Sequence, residues 1–174
     1  MRLDLGCGKN KKRGYIGVDL VKTQGVDIIV DLNRTPYPFK DESVDEIFMR
    51  HVLEHLDNPK ETLCECYRIL KREGYLIITV PFAGHMGSYQ FDHKWFFKAR
   101  DFYFLDPDND HHYYVVCKKI NPKFKIVYVK YNCGISPKLL PIFVVGKIIE
   151  KILNKWDDRR IGKINIRGKF TNVI

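Results

Sequence analysis

Four residues able to move protons or hold a metal ion fall in two short stretches of the chain. His51, Glu54 and His55 lie within the five residues HVLEH, and His93 follows in FDHK. Imidazoles beside a carboxylate can serve as a general base toward a hydroxyl, an amine or a carbon acid. The same set can hold a divalent metal, so a catalytic role for His51, Glu54, His55 and His93 leaves the question of a metal open. The plainer alternative is that Glu54 and His55 begin a turn that packs a pocket wall. A second group lies near the N-terminus: Asp4, then Gly6-Cys7-Gly8, then Asp19 with Leu20, then Asp31 with Leu32. Glycines directly after a strand let backbone turn sharply and approach a ligand without a Cβ in the way. Asp19 can accept hydrogen bonds from both hydroxyls of a ribose, and Asp31 is placed for an adenine edge if the strands are neighbours. Any one aspartate at a strand end is ordinary turn chemistry. Three of them beside a glycine turn describe a nucleoside site.

The elements that must hold these residues can be read from pattern. Arg2–Leu5, Tyr15–Leu20, Val26–Val30 and Val44–Arg50 read as strands. Asn58–Arg72 reads as a helix, with Asn58 as N-cap, Pro59 at the first turn and Glu61 at the capping-box position. Leu63, Cys66, Tyr67 and Leu70 form its buried face, and Gly74 is expected to end it. Tyr75–Val80 then reads as a buried strand stopped by Pro81. Beyond it, 82–97 reads as a loop, 97–104 as a short helix, Phe124–Tyr131 as an antiparallel strand, 145–156 as an amphipathic helix and Ile164–Val173 as a last strand. The order predicts one α/β domain over 1–174, doubly wound on a mostly parallel Rossmann-like sheet. Residues 1–81 form the cofactor half and 82–174 the substrate side. Ligands of such sheets bind beyond the carboxyl ends of the strands, where all the residues above fall. A dinucleotide fingerprint would need a third glycine where Lys11 stands, and no phosphate-binding loop pattern occurs.

LDLGCG, GVDL, VDLN, FMRHVLEHL and RILKREGYLIITVP, in that order, resemble a class I S-adenosylmethionine-dependent methyltransferase of the type 11 group. The resemblance covers roughly the first half of the chain. It implies a seven-stranded sheet with an antiparallel last strand and S-adenosylmethionine as cofactor. It further implies that Gly6, Cys7 and Gly8 line the methionine portion, that Asp4 lies near its ammonium and that Asp19 binds the ribose. Asp31 and Leu32 would contact the adenine, and His51 would lie beside the sulfonium. Two features depart from the group. Only Lys9–Tyr15 bridges the first two strands, a shortened crossover that must be a loop and leaves one sheet face thinly covered. Nothing precedes the first strand, so the helices that often cap the acceptor pocket are not expected.

Composition bounds the rest. Of the 174 residues 45% are apolar and 29% charged, as in ordinary soluble domains. There is no apolar run long enough to span a bilayer and no leader-like N-terminus, so a cytoplasmic location is expected. Five cysteines without CxxC spacing point to reduced thiols. Charge is uneven: residues 118–174 hold 14 of the 30 Lys and Arg but 3 of the 21 Asp and Glu, a net of +11 against −2 for the remainder. That excess admits RNA or an anionic membrane surface as a partner, or is simply a solvated lysine-rich surface. The expectation is therefore a methyltransferase acting on a small-molecule acceptor. The alternatives are an RNA methyltransferase with metal assistance and a non-catalytic cofactor-binding module in a complex; oligomerisation is open.

Overall fold

The computed structural model describes residues 1–83, 88–98, 100–103, 105, 124–132 and 163–170. Five parallel strands run in the order β3-β2-β1-β4-β5: β1 (Arg2–Leu5), β2 (Ile16–Asp19), β3 (Ile28–Ile29), β4 (Val44–Arg50) and β5 (Leu70–Pro81). Beside β5 lies the antiparallel β7 (Lys163–Phe170), and β6 (Phe124–Asn132) pairs antiparallel with β7 at the edge. The first two strands are joined without a helix. The 145–156 helix expected from the sequence lies outside the described residues, as does most of the basic segment.

Parallel pairing fixes which side chains share a face. Leu3 pairs with Ile16 and Ile47, and Leu5 with Val18 and Met49. All but the partly buried Ile16 are fully buried, and they share one core with Leu63, Cys66 and Ile69 of helix α1 (Pro59–Ile69). The alternate set carries Asp4, paired with Gly17 and Phe48. Because neighbours along a strand point to opposite faces, these lie on the side that the crossover must cover. The loop does so by laying Lys12 and Tyr15 against Phe48 of β4. The Lys12 ammonium sits 4.3 Å from the Tyr15 ring centroid and 4.4 Å from that of Phe48, and Tyr15 meets Phe48 edge-on. Burial and a hydrogen bond to Glu46 push the Tyr15 hydroxyl up to about 12. A short loop can thus close a parallel crossover when it carries its own apolar cover.

Helix α1 begins as its sequence predicts. The Asn58 side chain accepts from the Glu61 amide at 3.4 Å, and Pro59 takes the first turn, where no amide is needed. Its end differs. The chain turns extended at Leu70, and β5 starts there, so Gly74 lies inside a strand and is not a C-cap. Val44 pairs with Leu70 and Glu46 with Tyr75, and the register irregularity between them absorbs residues 71–74. At the opposite flank of α1, Arg68 binds Glu65 at 2.6 Å and Asp41 at 2.6 Å, and donates to the carbonyls of Tyr37 and Phe39. Burial disfavours the Glu65 charge, yet Arg68 and the Tyr37 amide hold its carboxyl below the usual range. This knot ties loop 33–42 to the helix. Cys7 and Cys66 are free, whereas Cys64 is disulfide-bonded, contrary to the expectation of reduced thiols throughout. No helix among the described residues is long and apolar enough to cross a membrane.

Candidate active site

At the carboxyl end of β1 the chain turns through Gly6 (φ +67°) and Gly8 (φ +55°), a backbone conformation that side chains rarely tolerate. The two glycines are needed for different reasons. A Cβ on Gly6 would stand 2.9 Å from one methyl of Val52 and closer still to the other, so the turn packs directly on the segment after β4. A Cβ on Gly8 would meet nothing within 4 Å; here the turn borders open space. Gly6 is held by its amide on the Val18 carbonyl at 2.7 Å, and Gly8 by its amide on Asp19 Oδ2 at 2.8 Å. Asp19 Oδ1 accepts from the Val21 amide at 3.3 Å. The Asp19 carboxylate is therefore locked before any ligand arrives, with lone pairs left on both oxygens.

Supports that the sequence did not single out lie beneath the turn. Thr23 Oγ1 donates to the Gly8 carbonyl at 2.8 Å, and a Cβ on Gly25 would press on the Gly8 and Lys9 carbonyls. Asp27 accepts from the Gly17 amide at 2.7 Å and from Lys11 at 2.6 Å. Each contact joins residues ten or more apart across strands, where local pattern carries no signal. Of the other expected residues, Asp4 is buried and accepts from the Lys12 amide at 2.6 Å. Burial raises its carboxyl pKa, and the Lys12 bond acts against that rise. The Cys7 thiol is likewise pushed up by burial and faces the Gly25 carbonyl. Asp31 holds the Asn33 amide at 3.0 Å and pairs with Arg34 at 3.2 Å. Leu32 turns its side chain into the core, so only its backbone can face a ligand. Leu20, Val21 and Ile29 instead form an exposed apolar edge at the ends of β2 and β3.

The second group assembles at the end of β4. His51 has φ +56° and donates its amide to the Thr79 carbonyl of β5 at 2.9 Å. Its Nδ1 lies 3.2 Å from Glu54 Oε1. Glu54 and His55 occupy a single 3-10 turn, Leu53–His55. His93 is delivered to this turn by backbone: the Lys94 and Trp95 amides both donate to the Glu54 carbonyl, at 2.8 and 3.3 Å. Trp95 Nε1 donates to the Leu56 carbonyl at 2.8 Å, and Lys94 pairs with Asp57 at 2.5 Å. The His55 and His93 rings stand edge to face with centroids 4.8 Å apart. The structure thus brings Glu54, His55 and His93 together, with His51 reaching the group only through Glu54.

Residues 3–78 match the family model described as a methyltransferase domain. An uncharacterized protein of Methanocaldococcus jannaschii, MJ1123, is 34% identical over 115 residues, covering 59% of this chain and 56% of the relative. The match therefore spans little more than half the length of that relative. Among solved structures, an S-adenosylmethionine-dependent methyltransferase from Archaeoglobus fulgidus superposes with a TM-score of 0.63 at 21% identity, covering 97% of this chain and 85% of the other. Phosphoethanolamine N-methyltransferase 2 of Haemonchus contortus, solved with S-adenosyl-L-methionine, gives 0.61 at 16% identity, covering 98% and 48%.

Proposed function

We propose that this chain, whose first half is a methyltransferase domain on the class I fold, binds S-adenosylmethionine at the ends of β1 to β3 and methylates a small-molecule acceptor. The observation that carries the reading is the glycine turn with the prelocked Asp19. Gly8 leaves room for a ligand, while Asp19 offers charged acceptors to a pair of vicinal hydroxyls. Leu20, Val21 and Ile29 supply exposed apolar surface suited to a purine ring. Neither a third glycine nor a phosphate loop is present, so a nucleoside fits better than a dinucleotide.

When bound, S-adenosylmethionine supplies an electrophilic methyl group, and alignment of acceptor and donor then accounts for much of the rate. The chain's share of the reaction is accordingly orientation and proton removal. Asp19 and the Gly6–Gly8 backbone fix the cofactor end. His51 takes a proton from the acceptor, with Glu54, 3.2 Å from its Nδ1 at the end of β4, orienting the ring.

Calorimetry with S-adenosylhomocysteine tests this directly. Wild-type protein should bind it, and Asp19→Ala should weaken binding by about tenfold or more, the worth of charge-assisted hydrogen bonds. Binding of NADH with none of S-adenosylhomocysteine would overturn the reading. The 14 basic residues of 118–174 favour RNA as a second class of acceptor. In that case affinity for RNA falls steeply from low to moderate salt, since phosphate contacts release counterions.

A further inference from the structure

We propose that Glu54, His55 and His93 form a binding site for one divalent first-row transition-metal ion, with Glu54 as the anionic ligand. Glu54 is fully buried, and its Oε2 has no hydrogen-bond partner among the described residues. Its Oε1 meets His51 Nδ1. A buried carboxylate oxygen with no hydrogen-bond partner has lost its water and gained nothing in return, which is costly. A cation at Oε2 removes that cost.

The two histidines are already oriented as ligation requires. His55 Nδ1 lies 3.2 Å from the Asp92 carbonyl and 3.3 Å from its carboxylate Oδ2, and His93 Nδ1 lies 3.0 Å from the Ser88 carbonyl. Carbonyl and carboxylate oxygens only accept, so in the neutral imidazole the proton belongs on Nδ1 and Nε2 is the nitrogen left to face an ion. Such an oxygen partner on the far nitrogen is the usual outer support of a metal-bound imidazole. One ligand atom from each of the three residues lies within 4.8 Å of the other two. The backbone bonds from Lys94 and Trp95 to the Glu54 carbonyl hold the set together before metal arrives. The nearby Lys94 ammonium is engaged with Asp57 and offers Glu54 no counter-charge.

Two imidazoles and one carboxylate suit zinc, cobalt, iron or manganese, whereas magnesium and calcium prefer all-oxygen sites. Three protein ligands also leave at least one coordination position for water or an acceptor heteroatom. His51 is a positioning residue: it holds Oε1, which presents Oε2 to the ion. The site stands independently of the cofactor reading, because no atom of the glycine turn or of Asp19 takes part.

The test uses the full chain made without a polyhistidine tag, stripped with chelator and titrated with cobalt(II). Calorimetry should give one site, and the visible spectrum should acquire the d–d bands of a low-coordinate ion. Glu54→Gln and His93→Ala should each lower affinity by about 100-fold or more, whereas His51→Ala should lower it by on the order of tenfold, as loss of an outer support does. His93 lies in a loop, and circular dichroism with S-adenosylhomocysteine binding checks that its variant is folded. Absence of cobalt binding, or binding unchanged in the folded His93→Ala protein, would overturn the proposal. Cofactor binding is read separately in the same samples, so failure of one assignment is distinguishable from failure of the other.

Discussion

The glycine turn after β1 and the 3-10 turn after β4 sit at adjacent strand ends, yet they handle carboxylates in opposite ways. At the first, Asp4 and Asp19 each accept backbone amides, and the charge is spent on holding shape. At the second, Glu54 is more deeply buried than either and keeps one oxygen unbound. The first is a cradle complete in itself, which a ligand fills. The second is an arrangement of ligands that a cation completes. The difference shows that burial alone says little about a carboxylate's use: on the proposals above, Asp19 acts with both oxygens already bonded and Glu54 with one left free.

The sharpest way to break the cradle is at Gly6. Gly6→Ala forces a methyl into Val52 at positive φ, and should cost about 3 kcal/mol or more in urea denaturation. Gly8→Ala borders open space and should cost only the left-handed backbone penalty of about 1–2 kcal/mol. Its methyl nevertheless enters the volume assigned to ligand, so S-adenosylhomocysteine binding should be lost out of proportion to stability. Equal stability losses in the two variants would show that the turns do not pack as described.

The same contrast predicts a smaller effect at Glu54. In chelator-treated protein Glu54→Gln removes a buried carboxylate whose Oε2 has no partner, and should raise stability by about 1–2 kcal/mol. With excess zinc the order should reverse, because only the wild type gains the binding energy. A wild type more stable than Glu54→Gln without metal would mean that Oε2 is satisfied.

The smallest expected effect is in acid titration. The folded-state pKa of Glu65 is depressed, so its stabilisation is present above the unfolded value of about 4.3 and is lost as pH falls through the folded value. Asp4 has a raised folded pKa. It opposes folding above its folded value, and that opposition is relieved as pH falls toward its unfolded value. Glu65→Gln should therefore flatten the acid limb of the stability curve, while Asp4→Asn should steepen it. Parallel changes in the two variants would contradict the opposed environments.

How much of this was legible in sequence depends on the range of the contacts. Asn58, Pro59 and Glu61 announce the start of α1 because capping is local. Its end was misread, since Gly74 looks like a C-cap. The residues 71–74 instead fill a register irregularity against Val44 and Glu46, which only pairing between distant strands reveals. In the site, HVLEH places His51 beside Glu54 by spacing alone. His93 joins them through amides of Lys94 and Trp95, about 40 residues later, and backbone bonds of that kind leave no trace in residue type. Thr23 and Gly25 were invisible for the same reason.

The loop that replaces a helix between β1 and β2 also sets a clock. In a helical crossover successive amides are bonded in series and open together. Here the bonded amides have unlike acceptors: Gly6 and Cys7 share the Val18 carbonyl, Gly8 bonds to Asp19, and farther on Lys12 bonds to Asp4 and Tyr15 to the Lys12 carbonyl. Each opens on its own schedule. Deuterium uptake across this stretch should consequently show one slow run at Gly6–Gly8 and separate slow positions at Lys12 and Tyr15. The lifetime of the Gly8 amide reports the integrity of the Asp19 lock without any ligand present.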